Sequence, residues 1–311
     1  MGMLNVVMPV LVMLGIGMVC REKKLISPTG AETLQTLVMN FCLPANLFYN
    51  FYKNRIDPET ILFPLVLFVL TAGGIYVGKL LCRLFHEQDE SLPFMLTGYE
   101  AGMLGYTLLA LLAGAEQIRT FAVMDVGHSL AIFTIYIAMV KNVGGEKQTM
   151  KEALAGLCRT PVLIAVFAGL VLGVSGIGGW IGRTAAGELI DTVCTFIATP
   201  TGAMILVVIG FRMNFKNVSW GRILKAIGLR IGMQLLFFGA VFVIFRAIGG
   251  IFAKDSALLT VGIMLILPPP YILPLYIRGE DKKEFYSSAL SVYTLLTILG
   301  FIAIAGVLYL N

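Results

Sequence analysis

The chain has 311 residues, 58% of them hydrophobic and only 13% charged, with a mean hydropathy of +0.88 and a formal net charge of +5. A water-soluble domain carries about 25% charged residues, so this composition excludes most soluble enzymes and the disordered and low-complexity classes, and places the chain in a bilayer. The basic residues stand in small groups between apolar segments instead of forming a stripe, which points to membrane orientation and away from nucleic acid.

About 20 apolar residues cross the roughly 30 Å hydrocarbon core. The first such run, residues 1–20, contains Pro9, and its charges (Arg21, Lys23, Lys24) follow the apolar stretch, so it reads as a retained helix and not as a cleaved signal. Charge-free runs follow at 33–52, 60–78, 160–182, 192–211, 256–277 and 285–311. Three further runs are as apolar but carry ionisable residues: 91–115 with Glu100, 120–140 with Asp125 and His128, and 226–245 with Arg230. Ten spans result. The loops after spans 1, 3, 5, 7 and 9 hold 16 Lys and Arg against 6 in the opposite loops, so the positive-inside rule puts both termini outside the cytoplasm. Five cysteines are scattered without a CxxC or zinc spacing and read as buried thiols.

Landmarks recur across the two halves. Pro9 and Pro161 stand 152 residues apart, and Pro44 and Pro200 stand 156 apart; glycines interrupt span 4 where Pro268-Pro269-Pro270 interrupts span 9. Five spans per half invert the second copy, so the expected fold is an all-α membrane protein of ten transmembrane helices, built as a 5+5 inverted repeat. Three consecutive prolines lack amide protons and cannot continue a helix, and Gly98, Gly102 and Gly105 let span 4 unwind around Tyr99 and Glu100. Spans 4 and 9 are therefore predicted to be broken and to cross at mid-membrane, where unsatisfied backbone must face protein or a wet cavity. Each second half-helix then aims its N-terminal amides at the centre, a geometry that suits an anion.

The Pro-containing segment Asn40-Phe41-Cys42-Leu43-Pro44-Ala45-Asn46, the span 4 segment Tyr99-Glu100-Ala101-Gly102-Met103-Leu104-Gly105, the span 6 start Thr160-Pro161 and the run Ala198-Thr199-Pro200-Thr201-Gly202 resemble the auxin efflux carrier family, within the bile acid/auxin transporter superfamily, over essentially the whole chain. The resemblance implies a homodimeric secondary carrier of small organic anions, built from a scaffold of helices in 1–58 and 146–218 and a core of helices in 59–145 and 219–311 that moves as an elevator. It also implies a location in the cell (inner) membrane. The family pattern usually has Asn where Glu100 stands, and often a proline beyond Gly105 where Tyr106 stands, so the relatives' substrates do not carry over directly.

Glu100 lies about nine residues, about 13 Å, into its span, close to the midplane. Asp125 and His128 are three residues apart and share a helix face with Ser129. Two readings stay open for Glu100: it titrates or holds a cation during transport with Asp125 and His128 as a relay, or it makes a fixed ion pair with Arg230 or His128. Arg230, five residues past Lys225, is within snorkelling reach of the cytosol. The candidate substrate or coupling residues are Gly98, Tyr99, Glu100, Gly102, Asp125, His128, Arg230, Pro268, Pro269, Pro270 and, from span 2, Asn46. No cofactor is expected beyond a coupling H+ or Na+. An enzyme is disfavoured, since two histidines and a failed GxSxG at Gly173-Val174-Ser175-Gly176-Ile177 supply neither a metal set nor a triad. A channel or substrate sensor is the alternative to a carrier.

Overall fold

A computed structural model describes residues 2–53, 62–112, 115–145, 159–213, 219–250 and 255–310, with positions 152, 155, 156 and 215 besides. Cys158 lies outside the described residues, as do parts of the loops at 54–61, 146–151 and 251–254. Among the described residues the chain is helical, without strands. Among the described residues, five helices are long and apolar enough to cross a membrane: Leu62–Leu84, Gln117–Val143, Ala185–Arg212, Trp220–Ile248 and Glu280–Val307. Large apolar side chains point outward along them, among them Phe196, Leu235 and Val243, which is the surface of a protein solvated by lipid.

Helix α1 (Gly2–Glu22) accommodates Pro9. Helix α2 (Pro28–Leu37) starts at Ser27, whose hydroxyl accepts the Gly30 amide, and runs through a wide π turn at Val38–Cys42 into α3 (Leu43–Tyr52). That turn lies just ahead of Pro44, which has no amide proton to give the preceding turn. Next come α4 (Leu62–Leu84), α5 (Leu92–Leu96), a π turn at Ala101–Gly105 leading into α6 (Tyr106–Leu112), and α7 (Ala115–Ala131), which continues through a π turn at Ile132–Tyr136 into α8 (Ile137–Val143). In the second half, α9 (Pro161–Ser175) opens on Pro161 in the first helical turn, where a proline costs nothing. Then follow α10 (Ile177–Ile181), α11 (Ala185–Ala198), α12 (Thr201–Arg212), α13 (Trp220–Ile248), α14 (Asp255–Ile266), α15 (Leu273–Tyr276) and α16 (Glu280–Leu310).

Three pairings dominate the packing: α1 on α12, α9 on α3, and α4 on α7. Glycine makes the first two close. Gly17 and Gly210 lie against the facing backbone in the α1–α12 pair, and Gly169 lies 3.1 Å, measured from an ideal Cβ, from the Phe48 carbonyl in the α9–α3 pair. A polar clasp at one end adds to the α3–α11 contact: the Tyr52 hydroxyl and the Lys53 ammonium both donate to Asp191. We expect Asp191→Asn to loosen this end, lowering the thermal midpoint in detergent by a few degrees while Lys53→Met alone does less, because the Tyr52 bond survives it.

At the other end of the molecule the segment between α4 and α5 is tied down by two ion pairs, Glu87 with Lys225 of α13 at 2.5 Å and Asp89 with Lys282 of α16 at 3.2 Å. Cys42 and Cys82 are buried as predicted, whereas Cys20 and Cys194 are half-exposed on lipid-facing helices, where a thiol costs little.

Candidate functional site

Both expected breaks are present. The first leaves α5 at Leu96, passes through extended Thr97 and Gly98, and re-enters a helix at Ala101, with Gly98 at φ +73°, a value that disfavours a side chain. The second leaves α14 at Ile266 and resumes at Leu273, with buried Pro268, Pro269 and Pro270 between. The two breaks touch: the Glu100 amide donates to the Pro268 carbonyl at 2.8 Å. An ideal Cβ on Gly98 would come 3.2 Å from Pro270 Cγ, so the absent side chain is what lets the two interrupted segments approach.

Glu100 joins the breaks a second time. Its Oε1 accepts the Met103 amide at 3.2 Å, capping the helix that leads into α6, and its Oε2 accepts the Tyr271 amide at 2.8 Å, just ahead of α15. The amides expected to await an anionic ligand therefore already hold a carboxylate of the chain itself.

Arg230 does the converse. It is fully buried, so snorkelling to the cytosol is overturned: its guanidinium donates to the carbonyls of Met95 and Gly98, each at 2.7 Å, and of Leu267 at 3.1 Å, and lies over the Tyr293 ring at 5.0 Å. A planar fork of five donors suits three carbonyls left over where α5 and α14 end, and its charge complements the negative ends of both helices. Glu100 and Arg230 thus serve opposite ends of the same two interruptions. The fixed Glu100–Arg230 or Glu100–His128 ion pair is not what the bonds around these groups form.

His128 bonds instead to the first break and to Asp125 on its own helix face. The Tyr99 amide donates to Nε2 at 3.1 Å, so Nε2 carries no proton and the ring is the neutral tautomer with its proton on Nδ1, 3.0 Å from Asp125 Oδ1. Asp125 Oδ2 accepts from the Tyr106 hydroxyl at 3.1 Å and from Ser129 at 3.3 Å. The Tyr99 ring stacks on His128, centroids 3.6 Å apart, and the buried Tyr99 hydroxyl has no hydrogen-bond partner among the described residues. Replacing Tyr106 by Phe removes one of three donors to Asp125; the expected loss is about 1 kcal/mol of stability, read as a lowered thermal midpoint with Asp125 still held by His128 and Ser129.

A half-open cavity of about 430 Å³ fills the space in front of these groups. Tyr99, Glu100, Gly102, Asp125, His128, Pro270 and Tyr271 form its depth, while Gln35, Asn40, Thr160, Arg159 and Arg212 contribute from α2, the Val38–Cys42 turn, the start of α9 and the end of α12. Sequence reasoning counted Arg159 and Arg212 only as loop cations that orient the chain. No spacing marks either residue as a cavity residue; each is simply the basic residue next to a span. Asn46 is elsewhere. It lines a second cavity of about 330 Å³ with Pro9, Thr107, Thr199 and Thr201, and there it bonds to Asn50, one turn away on the same helix. Asn40, six residues earlier, is the span 2 asparagine at the first cavity. Tyr106 borders the second cavity while its hydroxyl reaches Asp125 in the first. Among the described residues no three His, Cys, Asp or Glu side chains gather as metal ligands.

A cavity that gathers ionisable side chains at the meeting point of two interrupted apolar helices is an arrangement found in membrane transport proteins. Residues 3–156 match the profile of the family described as Membrane transport protein, in agreement with the resemblance to auxin efflux carriers. It is also similar to an uncharacterized transporter of Methanothermobacter thermautotrophicus (strain Delta H), 23% identical over 222 residues that cover 70% of each chain.

Proposed function

We propose that the chain is a secondary active carrier of small organic anions, carboxylates first among them, that works by elevator-type alternating access in the cell membrane. The observation that carries this reading is the cavity at the crossing, which combines backbone amides in its depth with Arg159 and Arg212 at its sides. Donors of that kind recognise a carboxylate, and a cavity of this volume suits a small one.

The packing supports the ten-span inverted repeat. If spans 1 and 2 correspond to spans 6 and 7, then α1 on α12 and α9 on α3 are the same contact seen twice, and both are made close by glycine. In this reading the two pairs form the scaffold of residues 1–58 and 146–218, and residues 59–145 and 219–311 form the moving core that carries both breaks. Arg159 and Arg212 belong to loops on the side richer in Lys and Arg, so the cavity faces the cytoplasm with both termini outside. A homodimer through the scaffold leaves the core free to move.

The test is a thermal-shift screen of the purified protein against mono- and dicarboxylates, indole acids and Na+ at two pH values, followed by counterflow in proteoliposomes with whichever solute stabilises it. A stabilising carboxylate that shows saturable counterflow is the expected result. Stabilisation by neutral or cationic solutes only, or single-channel currents without counterflow, would overturn the reading. Arg212→Ala should weaken the stabilising anion by about tenfold, since a charge-assisted contact is worth about 1.5–3 kcal/mol.

A further inference from the structure

The crossing presents an apparent contradiction for an anion carrier: the amides best placed to receive a carboxylate already hold Glu100. A second carboxylate arriving beside an ionised one, in a low-dielectric site, is opposed by like-charge repulsion and finds those donors taken. The cavity nevertheless has room for a ligand beside Glu100, and Arg159 and Arg212 in its lining supply the charge that attracts an anion.

We propose that Glu100 is a tethered stand-in for the substrate's carboxylate, and that the substrate displaces it from the Met103 and Tyr271 amides only when a proton neutralises it, so that each anion enters the site together with one proton. This inference rests on the anion-carrier reading. In the exchange, a proton from cavity water adds to a Glu100 oxygen, its two N–H···O bonds break, and the substrate carboxylate makes them instead. The charge of the site is the same before and after. When the substrate leaves, Glu100 loses its proton and takes the amides back, so a monoanion crosses with its proton and no net charge.

The other charged and titratable groups do not provide this exchange. Asp125 accepts from Tyr106, Ser129 and His128, and His128 is engaged through both ring nitrogens, so neither has to move to admit a ligand. Arg230 is engaged by the carbonyls of the first half-helices. Arg159 and Arg212 attract the anion without occupying donors that it must take, the Tyr271 hydroxyl is engaged with Thr294, and the Tyr99 ring lies stacked on His128.

The experiment measures binding of benzoate and of malonate to the full-length protein in detergent between about pH 5 and pH 8, for the unsubstituted chain and for Glu100→Gln. For benzoate, which is ionised throughout this range, the expected result is an affinity that falls by about tenfold per pH unit above the Glu100 titration in the unsubstituted protein and is flat in Glu100→Gln. Infrared difference spectra should show a new carboxylic-acid band on benzoate binding that Glu100→Gln lacks. Equal pH slopes in the two proteins overturn the inference, as does a slope that survives Glu100→Gln and vanishes in Asp125→Asn. Should Glu100→Gln fail to fold, binding to the unsubstituted protein without the infrared band overturns it equally. Binding of neither probe to either protein at any pH overturns the anion reading, and the inference with it.

Discussion

Arg230→Met is expected to leave little folded protein. Methionine matches much of the arginine stem but supplies no donor, so the carbonyls of Met95, Gly98 and Leu267 would lose their shared partner in a region without water. Stripping one side of a buried charged interaction of this kind costs about 3–5 kcal/mol. Arg230→Lys keeps the charge but offers a compact ammonium on a shorter stem, which cannot reproduce three bonds from a planar fork, so it should fall between the two. Size-exclusion profiles and thermal midpoints in detergent give the ranking. An Arg230→Met protein that elutes and melts like the unsubstituted one would show that the breaks hold together through Glu100 alone.

Gly127→Ala is expected to have the second-largest effect, although it adds a single methyl group. Gly127 of α7 lies so close to the Pro64 backbone of α4 that an ideal Cβ would fall 2.7 Å from Pro64 Cα and closer still to the carbonyl. The obstacle is backbone, which no rotamer change can clear, so α4 and α7 must separate; overpacking of this sort costs about 1–3 kcal/mol. Gly127 stands between Asp125 and His128 in sequence. Separation therefore shifts both residues relative to Tyr99 and Tyr106, and substrate stabilisation should decline along with the thermal midpoint. A Gly127→Ala protein with unchanged midpoint would mean that the two helices are farther apart than described.

Much of this was legible in the sequence because the bilayer makes simple demands. Proline and glycine inside apolar runs have few explanations, and Pro268-Pro269-Pro270 and Gly98 marked both breaks. Charges inside such runs have few as well, and Glu100, Asp125 and His128 all line the cavity. Partners were not legible. Reach along a helix suggested snorkelling for Arg230, whereas its actual carbonyls belong to residues 132 and 37 positions away in sequence. Helix polarity suggested an open anion site, but a side chain seated on those amides has no signature in one sequence beyond an acidic residue at a break. Arg159 and Arg212 were hidden for the opposite reason: a cation at the end of a span always has the ordinary explanation of orienting it. The asparagines of span 2 were divided by geometry alone, since Asn40 and Asn46 sit on one continuous stretch of helix yet border different cavities.

Tyr106 borders one of those cavities and donates through its hydroxyl to Asp125, which lines the other. Were water to fill both, a membrane potential would fall less evenly over the roughly 30 Å hydrocarbon core and more over the protein between them. Of the about 2.3 kcal/mol per elementary charge per 100 mV, a charge beside that tyrosine would then sense a larger share per ångström than one in the lipid-packed helices.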